Sequence, residues 1–163
     1  MEVIFSDRAY SSIYLETMQR MNDKKETGGV LLGHIDDEKC YILENVLPGH
    51  LAKRTIGSFE YDVKFVDYVA THLANLYFIK LDVVGIWHTH FDSIDIFSEP
   101  DRSINRKFVE QYGHNIVSGI VLVDEEQINL TMYDVCLKNE KLANIKIGIN
   151  YIPEHYRKYC KRM

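Results

Sequence analysis

The stretch of sequence that determines the architecture reads VVGIWHTHFDSIDIFSEPD over residues 83–101. Its first five residues are apolar on both faces of an extended chain, which is typical of a central strand that is covered on each side. Ser98 can cap the helix that follows, and Pro100 fits a first helical turn, where its missing N–H is not needed. The sequence therefore predicts a buried strand over residues 81–90, a loop, and a helix that reaches Tyr112.

Similar patterns on either side extend this unit into a sheet with helices. Apolar residues at helical spacing predict a helix over residues 65–77. Tyr10, Tyr14 and Met18 have the same spacing and predict a helix that is capped by Ser6 and runs to Met21. Apolar or alternating runs predict strands over residues 2–5, 27–35, 40–47, 116–123, 128–132 and 145–149, with a loop over residues 48–56. The order of these elements predicts an α/β (α+β) fold in which helices flank a mixed β-sheet.

Length and composition fit one globular domain. The 163 residues are 46% hydrophobic and 26% charged, close to an average soluble protein. A net charge of −5 argues against a dedicated nucleic-acid binder, and the longest apolar runs are too short to span a bilayer. The N-terminus lacks the apolar run of a signal peptide, and three cysteines without a CxxC pattern exclude a disulfide framework. We therefore expect a cytoplasmic protein that binds neither nucleic acid nor a membrane.

The end of the chain differs in charge from the rest. Residues 151–163 hold four basic side chains against a single acidic residue, Glu154. A basic end of this kind is usually solvated. The sequence therefore predicts a single domain over residues 1–150 and a basic C-terminal tail over residues 151–163.

Two histidines and an aspartate are spaced like metal ligands. His88 and His90 are two residues apart in the predicted strand, so their side chains point to the same face. They stand where the strand leaves the sheet and a crevice tends to open, and Asp101 follows in the first turn of the next helix. Two imidazoles, one carboxylate and an open fourth position are typical of catalytic zinc. The histidine pair alone also fits two ordinary hydrogen-bonded side chains, so the assignment depends on the wider pattern.

A carboxylate far upstream belongs to that pattern. Glu26 precedes the glycine-rich run TGGVLLG of residues 27–33, and a pair of glycines lets another backbone or a bound peptide come close. The alternative is that Glu26 only ends the polar run of residues 23–25 and is solvated.

These positions together resemble the signature of the JAMM (MPN+) zinc metalloproteases. That signature is a distant glutamate, then HxH, ten residues and an aspartate, with an embedded SxxD. In this chain the matching residues are Glu26, His88, His90, Ser98 and Asp101. The likeness covers residues 3–137 and is of the stand-alone prokaryotic type. It implies a single JAB/MPN catalytic domain with a cytidine-deaminase-like fold.

The resemblance also implies a role for each matching residue. His88, His90 and Asp101 would bind Zn²⁺. Glu26 would act as general acid/base, and Ser98 would hydrogen-bond the zinc water or the oxyanion. Family members cleave peptide or isopeptide bonds behind the C-terminal tail of ubiquitin-like proteins. The expected partner is therefore a ubiquitin-like protein or its conjugate, cleaved in deconjugation or in precursor processing.

Two further details concern the substrate. The family usually has a proline where this chain has Phe91, and Asp92 and Asp95 follow, so we expect an acidic rim around the site. Residues 53–62 are similar to bacterial members that are found with E1- and E2-like enzymes in antiviral operons. This second resemblance implies E1- and E2-like enzymes as further partners.

Other functions remain open from the sequence. A JAMM peptidase that processes a sulfur-carrier protein shares the chemistry, a RadC-like protein fits the surrounding residues poorly, and a non-catalytic MPN scaffold usually lacks one or more ligands. A Cys–His nucleophile, a zinc deaminase and a phosphate-binding loop are not supported, because the chain lacks their patterns. The remaining histidines are expected to be ordinary side chains: His34, His50, His72, His114 and His155.

Overall fold

The secondary structure follows the predicted order along most of the chain. The computed structural model describes residues 1–77, 80–91, 94–125 and 127–160, of which residues 158–160 by backbone only. The helices are α1 (Asp7–Arg20), α2 (Val63–Leu76), α3 (Glu99–Tyr112) and α4 (Glu154–Cys160), with a short 3-10 helix over Ile149–Tyr151. The strands are β1 (Glu2–Phe5), β2 (Gly28–Ile35), β3 (Lys39–Val46), β4 (Lys53–Arg54), β5 (Phe59–Glu60), β6 (Asp82–His90), β7 (Ile116–Val123), β8 (Ile128–Val135), β9 (Glu140–Leu142) and β10 (Asn144–Ile147).

Eight of these strands form one mixed sheet in the order β10-β1-β3-β2-β6-β7-β8-β9. The β1 strand runs parallel to β10 and β3, and β6 runs parallel to β7, whereas the remaining pairs are antiparallel. The β6 strand therefore lies inside the sheet, with β2 on one side and β7 on the other. The predicted mixed sheet is confirmed.

Helices cover both faces of this sheet. Ile13 of α1 packs in the same cluster as Trp87 on one face. Val66 of α2 and Val109 of α3 pack with Ile86 on the other face. Because both faces are covered, β6 is apolar on each side, as predicted for a central strand. None of the helices within the described ranges is long and apolar enough to cross a bilayer.

A β-bulge in β6 determines which face each side chain occupies. The register with β2 shifts by one residue at Val84. Val84 packs on the α1 face and Ile86 packs on the opposite face. In a regular strand, residues two positions apart would share a face. The alternation is thus reset before His88, which follows Ile86 onto the α2 and α3 face.

The start of α1 is as predicted, but its buried face is not the one that the pattern of large side chains indicates. Ser6 caps the helix, and its hydroxyl accepts a hydrogen bond from the N–H of Ala9 at 3.1 Å. Tyr14 and Met18 are exposed. The buried residues of the helix are Ala9, Ile13, Glu16 and Thr17. A carboxylate therefore lies on the buried side of α1.

Three local predictions differ from the structure. Residues 48–56 are not all loop, because β4 pairs antiparallel with β5 and places Lys53 opposite Glu60. The last predicted strand is too long, because a 3-10 helix begins at Ile149. The short β9 strand was not predicted. Strands of two or three residues, such as β4 and β9, carry too few side chains for a periodic signal.

The last segment is not a solvated tail throughout. Ile152 is fully buried and Tyr156 is nearly so, both in the core on the α2 and α3 face. The expectation of a solvated end is wrong for these two residues, because burying their apolar surface stabilises the segment against the core. The domain boundary at residue 150 stays a prediction, and residues 161–163 lie outside the described part of the chain.

We expect Ile152→Ala to lower the free energy of unfolding by about 2–5 kcal/mol, because it leaves a cavity where a fully buried side chain was. Denaturant unfolding followed by circular dichroism measures the change. Leu142→Ala is the control: its side chain is 70% exposed, and a surface change of this kind stays within about 0.5 kcal/mol. Equal losses in the two variants would contradict the packing of Ile152 in the core.

Candidate metal centre

Three of the predicted residues bring possible ligand atoms to one point. Within the described ranges, His88, His90 and Asp101 form the one group of at least three His, Cys, Asp or Glu residues whose ligand atoms lie within 4.8 Å of one another. The Nε2 atoms of the two histidines are 2.9 Å apart. Asp101 Oδ1 lies 3.4 Å from His88 Nε2, and Asp101 Oδ2 lies 3.6 Å from His90 Nε2. Strand β6 thus supplies two side chains of the group, and α3 supplies the third.

The donor set fits a zinc ion. Ligand atoms about 2.0–2.1 Å from one tetrahedral ion lie about 3.3–3.4 Å from one another. The distances from the imidazoles to the nearer Asp101 oxygens, Oδ1 for His88 and Oδ2 for His90, are of this size, and the distance between the imidazoles is somewhat shorter. Three nitrogen and oxygen ligands leave a fourth position open, as in catalytic rather than structural zinc sites.

A main-chain carbonyl fixes the orientation of His90. Its Nδ1 donates a hydrogen bond to the carbonyl oxygen of Ile94 at 2.7 Å. Because the proton then sits on Nδ1, the lone pair is on Nε2, the atom that faces His88 and Asp101. The loop after β6 thereby selects the tautomer in which His90 can be a ligand.

The N-terminal cap of α3 holds the Asp101 carboxylate. The N–H and the hydroxyl of Ser98 both donate to Asp101 Oδ2, at 2.7 and 2.6 Å. The N–H of Asp101 donates back to Ser98 Oγ at 3.3 Å, which completes a capping box. Partial burial raises the pKa of Asp101, but the neighbouring imidazoles of His88 and His90 and the Ser98 hydroxyl outweigh this effect, so that pKa lies well below its ordinary value. The carboxylate is therefore ionised, as metal binding requires.

All five predicted site residues line one cleft. Its volume is ≈ 370 Å³. Glu26 and Ser98 share the lining with the candidate metal ligands, and Phe59, Phe91 and Ile104 are among the apolar residues that form its walls. The cleft therefore combines apolar walls with a compact group of polar side chains.

Two threonines place Glu26 beside the metal-binding group. The N–H of Thr27 donates to Thr89 Oγ1 at 2.9 Å, and the N–H of Thr89 donates to the Thr27 carbonyl at 2.8 Å. Thr27 follows Glu26 in the chain, and Thr89 separates the two histidines. These bonds therefore join the start of β2, and Glu26 with it, to the end of β6.

The glycine pair of β2 is required by the close approach of β6. A Cβ atom at Gly28 would lie 2.3 Å from the carbonyl oxygen of Trp87, and one at Gly29 would lie 2.4 Å from Trp87 Nε1. The sequence predicts that another backbone or a bound peptide comes close to these glycines. In the structure the backbone of β6 approaches Gly28, and the Trp87 side chain and the Val46 carbonyl of β3 approach Gly29. The pair thus permits the strand pairing that assembles the site.

The loop that follows β6 agrees only in part with the expected acidic rim. Phe91, which replaces the usual proline of the family, lines the cleft. Asp95 is exposed but is not among the lining residues, and its carbonyl accepts a hydrogen bond from the Tyr133 hydroxyl at 2.8 Å. Asp92 lies outside the described residues.

The other candidate groups lie away from this chemistry. The five histidines that are expected to be ordinary do not line the cleft. Cys40 is fully buried, and this burial raises the pKa of its thiol, so it lacks the thiolate character of a nucleophile.

A buried ion pair beside the site was not predicted. Arg54 Nη2 lies 3.3 Å from Glu16 Oε1, and the two side chains are only 12% and 7% exposed. Arg54 belongs to a two-residue strand, and Glu16 is an acidic residue on a helix. Neither position carries a periodic or motif signal by which the sequence could reveal the pair.

Comparison with known proteins identifies the family and the fold. Residues 11–133 match the family described as prokaryotic homologs of the JAB domain. No curated protein is similar enough in sequence to count as a relative. Among solved structures, the solution structure of protein DSY2949 from Desulfitobacterium hafniense is similar, with a TM-score of 0.64 and 11% sequence identity. The match covers 95% of this chain and 97% of that chain, and at this identity it shows the fold alone.

The family match covers α2, α3 and most of α1. It also includes all of the cleft residues described above. The similar solution structure has the same fold over nearly the whole length of both chains. The fold that the resemblance implies is therefore confirmed. The chain belongs to the prokaryotic homologs of the JAB domain, within the JAMM/MPN family.

Proposed function

We propose that this protein is a zinc-dependent peptidase that cleaves a peptide or isopeptide bond after the C-terminal tail of a ubiquitin-like protein. The observation that carries the proposal is the convergence of His88, His90 and Asp101 in a cleft that Glu26 also lines. The JAB family includes zinc isopeptidases and inactive members, and inactive scaffolds usually lack one or more ligands. This chain retains the complete donor set, which favours an enzyme.

Each residue of the site has a proposed task. His88, His90 and Asp101 would hold the zinc ion. A bound zinc ion would act as a Lewis acid that polarises the scissile carbonyl and lowers the pKa of a coordinated water toward neutrality. Glu26 takes a proton from the attacking water and later gives it to the leaving amine, as a general base and then a general acid.

Ser98 has two tasks in this proposal. Its hydroxyl holds the Asp101 carboxylate, with 2.6 Å between Ser98 Oγ and Asp101 Oδ2. Because Ser98 also lines the cleft, its Oγ can accept a hydrogen bond from the attacking water, or donate its proton to the developing oxyanion once it releases Asp101 Oδ2.

The substrate is proposed to bind as an extended peptide. Ile56, Gly57 and Ser58 lie at the tip of the hairpin formed by β4 and β5, and all three line the cleft. An extended tail can pair with exposed backbone of this kind as an added strand. The proposed partner is therefore a ubiquitin-like protein or its conjugate, and E1- and E2-like enzymes would supply such conjugates.

We expect the purified protein to bind one zinc ion per chain, and His88→Ala to lose it, because two ligands hold zinc far more weakly than three. Elemental analysis after gel filtration measures the zinc content. His34→Ala is the control, since His34 is exposed and lies outside the cleft lining. Zinc retained in full by His88→Ala would place the metal elsewhere.

Glu26→Gln is expected to keep the zinc and to lower kcat by about 10²–10⁴-fold, because the amide cannot take up the proton. The assay follows cleavage of reporter proteins fused behind the Gly-Gly tails of ubiquitin-like and sulfur-carrier proteins, with and without a chelator. Glu38→Gln is the matched control, because Glu38 is exposed in the turn between β2 and β3.

The possible outcomes separate the functions. Cleavage that disappears with the chelator and in Glu26→Gln supports the proposal, and the fusion that is cleaved identifies the substrate class. A wild-type protein that binds zinc fully but cleaves none of the fusions would favour a scaffold over an enzyme.

A further inference from the structure

The hairpin of β4 and β5, residues 53–60, is a small element at the edge of the candidate active site. Its two strands have two residues each and form a separate two-stranded sheet. Four of its residues line the cleft: Ile56, Gly57, Ser58 and Phe59. So short a hairpin is at best marginally stable by itself, and its position depends on contacts with the body of the protein.

Arg54 provides the main polar contact between this hairpin and the body. Its Nη2 donates to Glu16 Oε1 at 3.3 Å, and its Nε donates to Thr27 Oγ1 at 3.3 Å. The Thr27 hydroxyl donates to the same Glu16 oxygen at 2.7 Å. The three side chains therefore form a closed triangle between α1, the residue that precedes β2, and β4. Glu16 and Thr27 are buried, and the Arg54 side chain is 12% exposed.

The backbone of Glu26 is held by residues that adjoin or belong to this triangle. On one side, Thr27 follows Glu26 and belongs to the triangle. On the other side, the N–H of Glu26 donates to the carbonyl of Thr55 at 2.8 Å, and Thr55 follows Arg54. A displacement of Arg54 would therefore move the Thr55 carbonyl, which accepts the hydrogen bond of the Glu26 N–H. It would also break the hydrogen bond from Arg54 to Thr27, the residue after Glu26.

We propose that Glu16 and Arg54 are positioning residues: their buried ion pair latches the hairpin of residues 53–60 against α1 and thereby fixes where Glu26 stands in the cleft. The part that concerns catalysis rests on the proposed function, whereas the latch itself is a property of the fold. Arg54 and Glu16 act through Thr27 and Thr55 on Glu26, and neither residue needs to touch the substrate.

The surroundings of Glu16 determine which variant is informative. Arg20 Nε also lies 3.6 Å from Glu16 Oε1, so Glu16 keeps a cationic neighbour when Arg54 is replaced. Replacing Glu16, by contrast, would leave two buried or half-buried cations facing each other. Arg54→Gln is therefore the variant that opens the latch with the least disturbance of α1.

The same strand offers a matched control. Lys53 precedes Arg54 and forms an ion pair with Glu60 across the hairpin at 3.2 Å. These side chains are 81% and 70% exposed, so solvent screens the pair and its loss has little effect. Lys53→Gln removes one positive charge from the same strand without touching the latch.

The latch is tested by amide hydrogen exchange on the full chain, resolved by residue. In Arg54→Gln we expect the amides of Glu26 and Thr55 to exchange about tenfold faster or more, because the hairpin opens locally. The amide of Thr89, which is bonded to Thr27 at 2.8 Å, should keep its protection. Lys53→Gln should match the wild type at all three amides.

Two results would overturn the latch. One is unchanged protection of the Glu26 amide in Arg54→Gln. The other is equal acceleration at Thr89 and throughout the β-sheet, because this would mean general destabilisation rather than a local opening. Arg54→Lys, which can keep one bond to Glu16 but loses the fork of the guanidinium, should exchange at an intermediate rate.

The positioning role is tested separately by kcat and KM per zinc-loaded chain. Arg54→Gln should lower kcat about tenfold or more at full zinc content, Arg54→Lys should recover part of it, and Lys53→Gln should change neither constant. An open hairpin with an unchanged kcat would overturn positioning. If the wild type cleaves no fusion, the proposed function fails while the exchange data still decide on the latch.

Discussion

The antiparallel pairing of β2 with β6 is the constraint on which the site depends. It sets the first residues of one strand against the last residues of the other, and the two hydrogen bonds between Thr27 and Thr89 close it. Gly28 and Gly29 make this approach possible, because a side chain at either position would collide with β6. A carboxylate just before β2 and two imidazoles at the end of β6, 62 or more residues apart in sequence, are thus brought to one edge of the sheet.

The position of Asp101, the third candidate ligand, depends on a second local feature, the N-terminal cap of α3. The atoms of Ser98 that satisfy the first turn of the helix also hold the Asp101 carboxylate. One short SxxD motif therefore stabilises a helix terminus and orients a candidate metal ligand at the same time. The stability of α3 and the geometry of the candidate centre are, for this reason, not independent properties.

The sequence predicts best those features whose signals are local. The apolar run of β6, the cap of α3 and the spacing of the site residues can all be read within a few positions. The strand β4 and the burial of Glu16 could not be predicted, because the contact between Glu16 and Arg54 joins positions that are 38 residues apart. The large side chains of α1 even indicate the wrong buried face, since Tyr14 is exposed. Long-range polar contacts override local pattern at these positions.

The bulge at Val84 has a consequence for how such a chain can vary. Side chains of a strand alternate between its faces, so the number of residues from the bulge to His88 decides which face receives both imidazoles. The loss of one residue between the bulge and His88 would turn both imidazoles toward the α1 core, where Trp87 now lies. Insertions and deletions can then be accommodated in the loops but not in this half of β6. The exact number of residues in this half of β6 therefore matters to the site as much as the identity of the candidate ligands, because it determines the face on which the imidazoles lie.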